Sequence, residues 1–283
     1  MLGELKTLEN TIIAEQTKVR VHAENIAGAE VHAFKKREVK FSAIFSKMLR
    51  QGTVLSDGGD GATNQQQLSM GAKVSGISKV FSLGSKVESD PISIYINNPK
   101  AFFVAARGSA ATSSEDFIYT RSGNLSIYNN ELITPEGLHI YGYEVNNGQL
   151  SNQLQPIYIR DDIDASWLSW DEEGRLLATN PDTGEQEVLF QVAVTTFPNP
   201  SLLQTVADNA YKGNIASGEA TGHRTPTESS ISITGGVYEG SNVEVMEEAL
   251  KGLLPTERYM QAGFTAFQAI LNIVDKFLQS VSG

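Results

Sequence analysis

Residues 117–143 read FIYTRSGNLSIYNNELITPEGLHIYGY. Four short apolar runs, FIYTR, NLSIY, ELIT and LHIYGY, are rich in β-branched and aromatic residues. Turn residues punctuate them: Ser122-Gly123-Asn124, Asn129-Asn130 and Pro135-Glu136-Gly137. Runs this short, broken by such turns, predict antiparallel hairpins. They leave no room for the helical crossovers of a parallel sheet.

The pattern extends outward on both sides. PISIYI at 91–96 alternates Ile92, Ile94 and Ile96 with Ser93 and Tyr95. QPIYIR at 155–160, RLLAT at 175–179 and VLFQVAVTTF at 188–197 follow, with turn signals at Asn146-Asn147-Gly148, Glu172-Glu173-Gly174 and Asp182-Thr183-Gly184. A central antiparallel β domain is predicted over 86–209. Gln51 to Ser69 and Ser217 to Ser230 are polar and poor in apolar anchors. With their flanks, 41–85 and 210–240, they read as an extended arm and linker region.

The chain ends read differently. Leu5, Leu8, Ile12, Val19 and Ile26 follow three-and-four spacing. So do Val243, Met246, Leu250, Leu253, Met260, Phe264, Phe267, Leu271, Val274, Leu278 and Val281. The expectation is an α+β protein. Its long N- and C-terminal helices, in 1–40 and 241–283, would form a coiled-coil hairpin beside the β domain. Gly252 and Pro255 would kink the second helix. These seam residues, Met260 and Val281 apart, are the candidate subunit-interface residues.

Composition narrows the function. Net charge is −11, with a pI near 4.9, which argues against nucleic acid as a partner. There are no cysteines, so thiolate metal sites, disulfides and cysteine nucleophiles are excluded. His22, His32, His139 and His223 share no metal-ligand spacing. No motif marks a catalytic, cofactor or metal site, and the expectation is a non-enzyme without cofactors. No apolar run approaches the roughly 18 residues of a membrane span. The first residues lack the cationic, apolar and small-residue regions of a cleaved signal, so any export is expected to proceed without one. Lys35, Lys36 and Arg37 stand in a row within this acidic chain and need a local explanation.

Several segments together resemble the flagellar rod and hook family of axial proteins. NIAGAEVHAFKKREVKF, from Asn25, is similar to the family's N-terminal motif at Asn25, Ala27, Phe34 and Lys35. Gly28, Val31 and Ala33 depart from it, standing where Asn, Thr and Gly are usual. The basic run thus resembles the family's junction between terminal helix and β domain. AFFVAARG is similar to the Gly-Phe-Phe-x-Val strand, with Ala101 for Gly. Tyr119, Thr120, Arg121, Gly123 and Asn124 match the Tyr-Thr-Arg-x-Gly-Asn block, and Leu132, Thr134, Gly137 and Gly142 the hairpin after it. TTFPNPSLLQTVADNAYKGN and the closing Ser241, Asn242, Val243 and Tyr259 complete the series, while Pro255 departs.

The resemblance implies a structural subunit of the bacterial flagellar basal-body rod in the periplasmic space. It would self-assemble into a helical tubular shaft that carries torque from motor to hook. Length and the segment after the first helix resemble the distal rod member; a proximal rod or hook subunit is the alternative within the family. The implied partners are copies of itself, other rod and hook axial proteins, and surrounding periplasmic and outer-membrane ring proteins. A reading from a different class is a soluble exported β-rich binding protein.

Overall fold

The computed structural model describes residues 2–50, 66–108, 111, 116–146, 148–181 and 183–252. They fall into two compact units. One takes in residues up to 27, 37–78 and those from 244 onward; the other takes in 28–36 and 79–243.

The first unit begins with helix α1, Leu2–Ala27. Strands β1, Arg37–Arg50, and β2, Gln66–Lys79, pair as a two-stranded ribbon. Residues 245–252 are helical. α1 packs against β1 and turns Ala14, Val21 and Asn25 inward. Among the described residues no helix is long and apolar enough to cross a membrane.

The second unit is built almost wholly of short strands. Its first four are β3 (Lys86–Glu88), β4 (Ile94–Ile96), β5 (Ala101–Ala106) and β6 (Phe117–Thr120). The hairpins follow: β7 (Ser126–Tyr128), β8 (Glu131–Ile133), β9 (His139–Asn146) and β10 (Gln149–Pro156). Next come β11 (Leu168–Trp170), β12 (Arg175–Thr179), β13 (Gln186–Val192) and β14 (Val194–Thr196). The last are β15 (Gln204–Ala207), β16 (Ala210–Lys212), β17 (Ile233–Gly235) and β18 (Val237–Glu239).

Twelve of these strands form one sheet with the order β11-β12-β13-β9-β5-β6-β16-β15. To it β10 adds on β9, β14 on β5, and the β7–β8 hairpin on β9. The pairings are antiparallel, as the hairpin signals require. At the β7–β8 turn Asn129 and Asn130 take φ of 48° and 67°, the left-handed pair that a two-residue hairpin needs and that asparagine tolerates. β17 pairs with β4 and β18 with β3, returning the chain to the start of the unit.

β5 explains why AFFVAA is apolar without alternation: both of its faces are buried. Ala101, Phe103 and Ala105 join a core with Ile94, Leu132, Ile140, Trp170, Leu176 and Val192. Phe102, Val104 and Ala106 join a second cluster with Phe81, Phe117, Tyr119, Tyr141, Phe197 and Tyr211.

Among the described residues the expected α+β architecture with a coiled-coil hairpin of chain ends is not found. The described structure is mainly antiparallel β, and α1 has β1 as its packing partner. Ile12, Val19, Ile26, Met246 and Leu250, expected in a buried seam, are exposed. The apolar side chains of α1 that are buried among the described residues, Ala14 and Val21, stand two residues beyond Ile12 and Val19. That is about 200° around a helix, so the face turned inward is nearly opposite the apolar stripe. Where α1 meets residues 245–252 the bonds are polar, from His22 and Asn25 to Glu248. Val243 precedes those helical residues and is half-buried. Leu253, Met260, Phe264, Phe267, Leu271, Val274, Leu278 and Val281 lie outside the described residues, as do the side chains of Leu5 and Leu8 and the expected kink at Pro255.

Trp170 spans the core from β11 and donates its indole N–H to the Ile92 carbonyl at 2.7 Å. Trp170→Phe keeps much of the apolar contact but leaves that buried carbonyl without its donor. It is expected to cost about 1–3 kcal/mol, read as a lower urea midpoint with an unchanged slope.

Candidate functional site: a buried ion junction

The basic run resolves into three separate tasks, one of a side chain and two of backbone. Lys35 is buried in the second unit, its Nζ donating to Glu239 Oε1 at 2.6 Å and to the Ser82 carbonyl at 2.8 Å. The Lys36 amide donates to Asn242 Oδ1 at 2.7 Å. In the first unit Asn25 brackets the Arg37 backbone. Its Oδ1 accepts the Arg37 amide at 2.8 Å and its Nδ2 donates to the Arg37 carbonyl at 2.9 Å. The Arg37 guanidinium pairs at the surface with Glu24.

Glu239 is the centre. It ends β18, whose pairing with β3 sets Glu239 opposite Lys86. Its Oε2 accepts from Arg121 Nε at 2.6 Å, and its Oε1 accepts from the Gly84 amide at 2.8 Å as well as from Lys35. Arg121 follows β6 and spends its remaining donors on backbone. Nη1 reaches the carbonyls of Asn98 and Ala101, and Nη2 that of Ile96. The planar fork of arginine suits this divergent set; the compact ammonium of lysine does not. All three charged side chains are sealed from water.

One carboxylate here serves two cations. Burial would raise the Glu239 pKa, but the charges of Arg121 and Lys35 and their hydrogen bonds hold it below the usual carboxylate range. Lys35 pays in the opposite sense. Burial, then the Arg121 charge, lowers its pKa from 10.5 to about 8 against the pull of Glu239.

Other motif residues hold the frame of this junction. Asn242 donates its amide to the Val80 and Ser82 carbonyls, while its backbone N–H reaches the Phe34 carbonyl. The Ser241 hydroxyl accepts from the Val243 amide. Thr120 Oγ1 accepts from the Ser122 amide, and the Tyr119 hydroxyl meets His223. A Cβ on Gly123 would stand 1.7 Å from the Ile94 carbonyl oxygen, so only glycine fits. Asn124, next in the chain, is half-buried.

Of two departures from the family pattern, Gly28 has a local reason and Ala33 carries a local cost. Phe34 lays its ring where a Cβ on Gly28 would be, within 2.4 Å. Ala33 is fully buried at a φ of 52°, with its amide donating to the Glu239 carbonyl at 2.7 Å. A non-glycine residue there carries about 1–2 kcal/mol of left-handed strain.

The structure therefore brings Lys35, Arg121 and Asn242 to one place and leaves Asn25 in the other unit, where it also donates to Glu248. Sequence reasoning missed Glu239 and Glu248. The available signal for Glu239 was a lone carboxylate between Tyr238 and Gly240, directly before Ser241-Asn242. Among the described residues no group of three or more His, Asp or Glu could hold a metal ion.

Glu239→Gln leaves two buried cations without a counter-charge. It is expected to cost about 3–5 kcal/mol in urea unfolding at pH 7. A second expectation concerns alkaline pH. Between about pH 8 and 10.5 the unfolded chain keeps the Lys35 proton that the folded protein gives up, so stability rises with pH across that window. The stability of the native chain relative to Lys35→Met should thus increase from pH 7.5 to 9.5. A flat difference would mean that Lys35 is not the titrating group.

No protein-family model matches the chain. It is 24% identical over 268 residues to the flagellar basal-body rod protein FlgG of Bacillus subtilis strain 168, which covers 94% of this chain and 92% of that protein. To the FlgG of Borreliella burgdorferi it is 25% identical over 263 residues, 92% of this chain and 91% of that one. To the FlgG of Caulobacter vibrioides it is 24% identical over 281 residues, 98% and 97%. Each of these proteins is named for a structural part of the flagellum, and each is matched over almost its whole length. The chain is a relative of the flagellar basal-body rod proteins named FlgG.

Proposed function

We propose that this chain is a structural subunit of the flagellar basal-body rod, in its distal part, and that it assembles with copies of itself into a tubular shaft transmitting torque from motor to hook. The observation that carries this is similarity to FlgG proteins sustained from one end of the chain to the other. In this reading it sits in the basal body, in the periplasmic space. Its neighbours are further copies, other rod and hook proteins, and the surrounding ring proteins.

The structure supports a role in assembly through surface chemistry. On α1, Ile12, Ile13, Val19 and Ile26 are exposed; near the other end of the described chain so are Val245, Met246 and Leu250. Apolar side chains grouped on one face mark interaction surfaces more than ordinary solvent-facing ones. Subunits that meet head to tail through unlike surfaces, without closing a ring, build open filaments. We assign these residues to contacts with neighbouring subunits.

Met246 is 70% exposed and Leu250 51%. Charging either should therefore change the stability of the isolated protein by no more than about 0.5 kcal/mol. Met246→Asp and Leu250→Asp are expected to abolish incorporation into the rod and swimming, with an unchanged thermal melt. Normal incorporation of both variants would remove these residues from the interface. Rods that still form and turn in cells lacking the chain altogether would remove the rod assignment itself.

A further inference from the structure

The polar stretch read from the sequence as an arm is, in the second unit, a strap laid along a sheet edge. Val194 and Arg224 exchange backbone hydrogen bonds of 2.8 and 2.9 Å, and the Thr221 amide donates to the Thr196 carbonyl at 3.2 Å. The Thr196 amide in turn donates to the Thr221 hydroxyl at 3.1 Å. β14 pairs with β5 along its opposite edge, so the strap covers an edge that would otherwise present open backbone groups.

Among the side chains that tie this strap to the sheet, His223 is the one that can titrate near neutral pH. The His223 ring lies edge-on to Phe117 with centroids 4.6 Å apart, and its Nε2 is 3.2 Å from the Tyr119 hydroxyl. The His223 carbonyl accepts from the Tyr143 hydroxyl at 2.7 Å. A neutral ring with its proton on Nδ1 accepts the Tyr119 hydroxyl at Nε2. A protonated ring can only donate, so its bond to Tyr119 must reverse, with the hydroxyl oxygen as acceptor, and protonation places a charge in the buried aromatic cluster.

The titratable and charged groups on the elements packed here are few. They are Asp116 and Tyr119 at and within β6, His139, Tyr141, Tyr143 and Glu144 on β9, and Glu219, Arg224 and Glu228 on the strap. Among the described residues, the hydrogen bond of the ring is to the Tyr119 hydroxyl and its ring contacts are with Phe117 and Tyr119. Arg224, the next residue, adds a cation. Glu228 stands nearer Tyr143, whose pKa is raised first by burial and then by that carboxylate.

We propose that His223 is an acid-sensitive latch, which in its neutral form holds the strap over the edge of β14 and on protonation releases it. Burial lowers the pKa of the ring from its ordinary 6.5, so the folded, latched state binds this proton more weakly than the released one. Below pH 6.5 the released state therefore gains with each proton taken up, until the latched ring also titrates. The device is local: it uncovers one sheet edge and the aromatic cluster beneath it.

The test is amide hydrogen exchange on the full chain at pH 7.5, 6.5 and 5.5, expressed as protection factors. Protection at Val194 and Arg224 should fall by up to about tenfold per pH unit below 6.5. The Val104 amide, which bonds to the Ala193 carbonyl on the β5 side, should keep its protection. His223→Phe should make the strap amides indifferent to pH. His223→Gln is the second variant, read the same way if phenylalanine disturbs the fold. Strap protection in the native chain that does not change with pH would overturn the proposal. So would a pH dependence that survives in the variants, or a loss of protection that reaches Val104 to the same degree.

Discussion

The carboxylate of Glu239, held between Arg121 and Lys35, is the constraint around which the β-rich unit is organised. It joins three stretches distant in sequence: the segment entering the unit, a position after a central strand, and the strand that leaves. Buried ion pairs are poor sources of net stability because desolvation offsets most of the attraction. Their effect is on which arrangement is allowed. Side chains alternate along β18, so a slip of one residue on β3 would turn Glu239 to the opposite face. Two cations would then be left buried without a partner. The register of the closing strand is fixed by charge at the same time as by hydrogen bonding.

Much of the β unit was legible because its determinants are local. Asn129-Asn130 specifies a tight hairpin from two adjacent residues, and the unbroken apolar run of β5 specifies a strand buried on both faces. The ion junction was not legible in the same way. Lys35 and Glu239 are 204 residues apart in sequence, and Arg121 and Glu239 are 118 apart. No window of pattern contains such a pair. The family resemblance marked Lys35 and Arg121, and its closing Glu-x-Ser-Asn-Val-Asp motif begins at Glu239, but nothing in the pattern joined the three. The polar composition of 217–230 was likewise a sound observation that carried no information about the sheet edge on which the strap lies.

The helix was misread for an instructive reason. Three-and-four spacing identifies an apolar stripe, and a stripe was equated with the buried face. In α1 the buried face carries Ala14, Val21 and Asn25, and Asn25 on it reaches the Arg37 backbone. Asn25 and Asn242 do similar work in different units. Each uses one side-chain amide to satisfy both a donor and an acceptor of main chain where regular pairing has stopped, as buried backbone requires.

The stripe left outward on α1 has a thermal consequence. Contacts made by isoleucine and valine are driven near room temperature by the release of water, and they carry a negative change in heat capacity. An assembly held by such a face loses grip on cooling, while the ion junction, electrostatic in origin, does not follow the same curve. The two kinds of cohesion in one chain thus have different temperature optima. Chilling would weaken contacts made through that stripe as it weakens the apolar cores, and would leave the Glu239 junction as the part of the chain least affected.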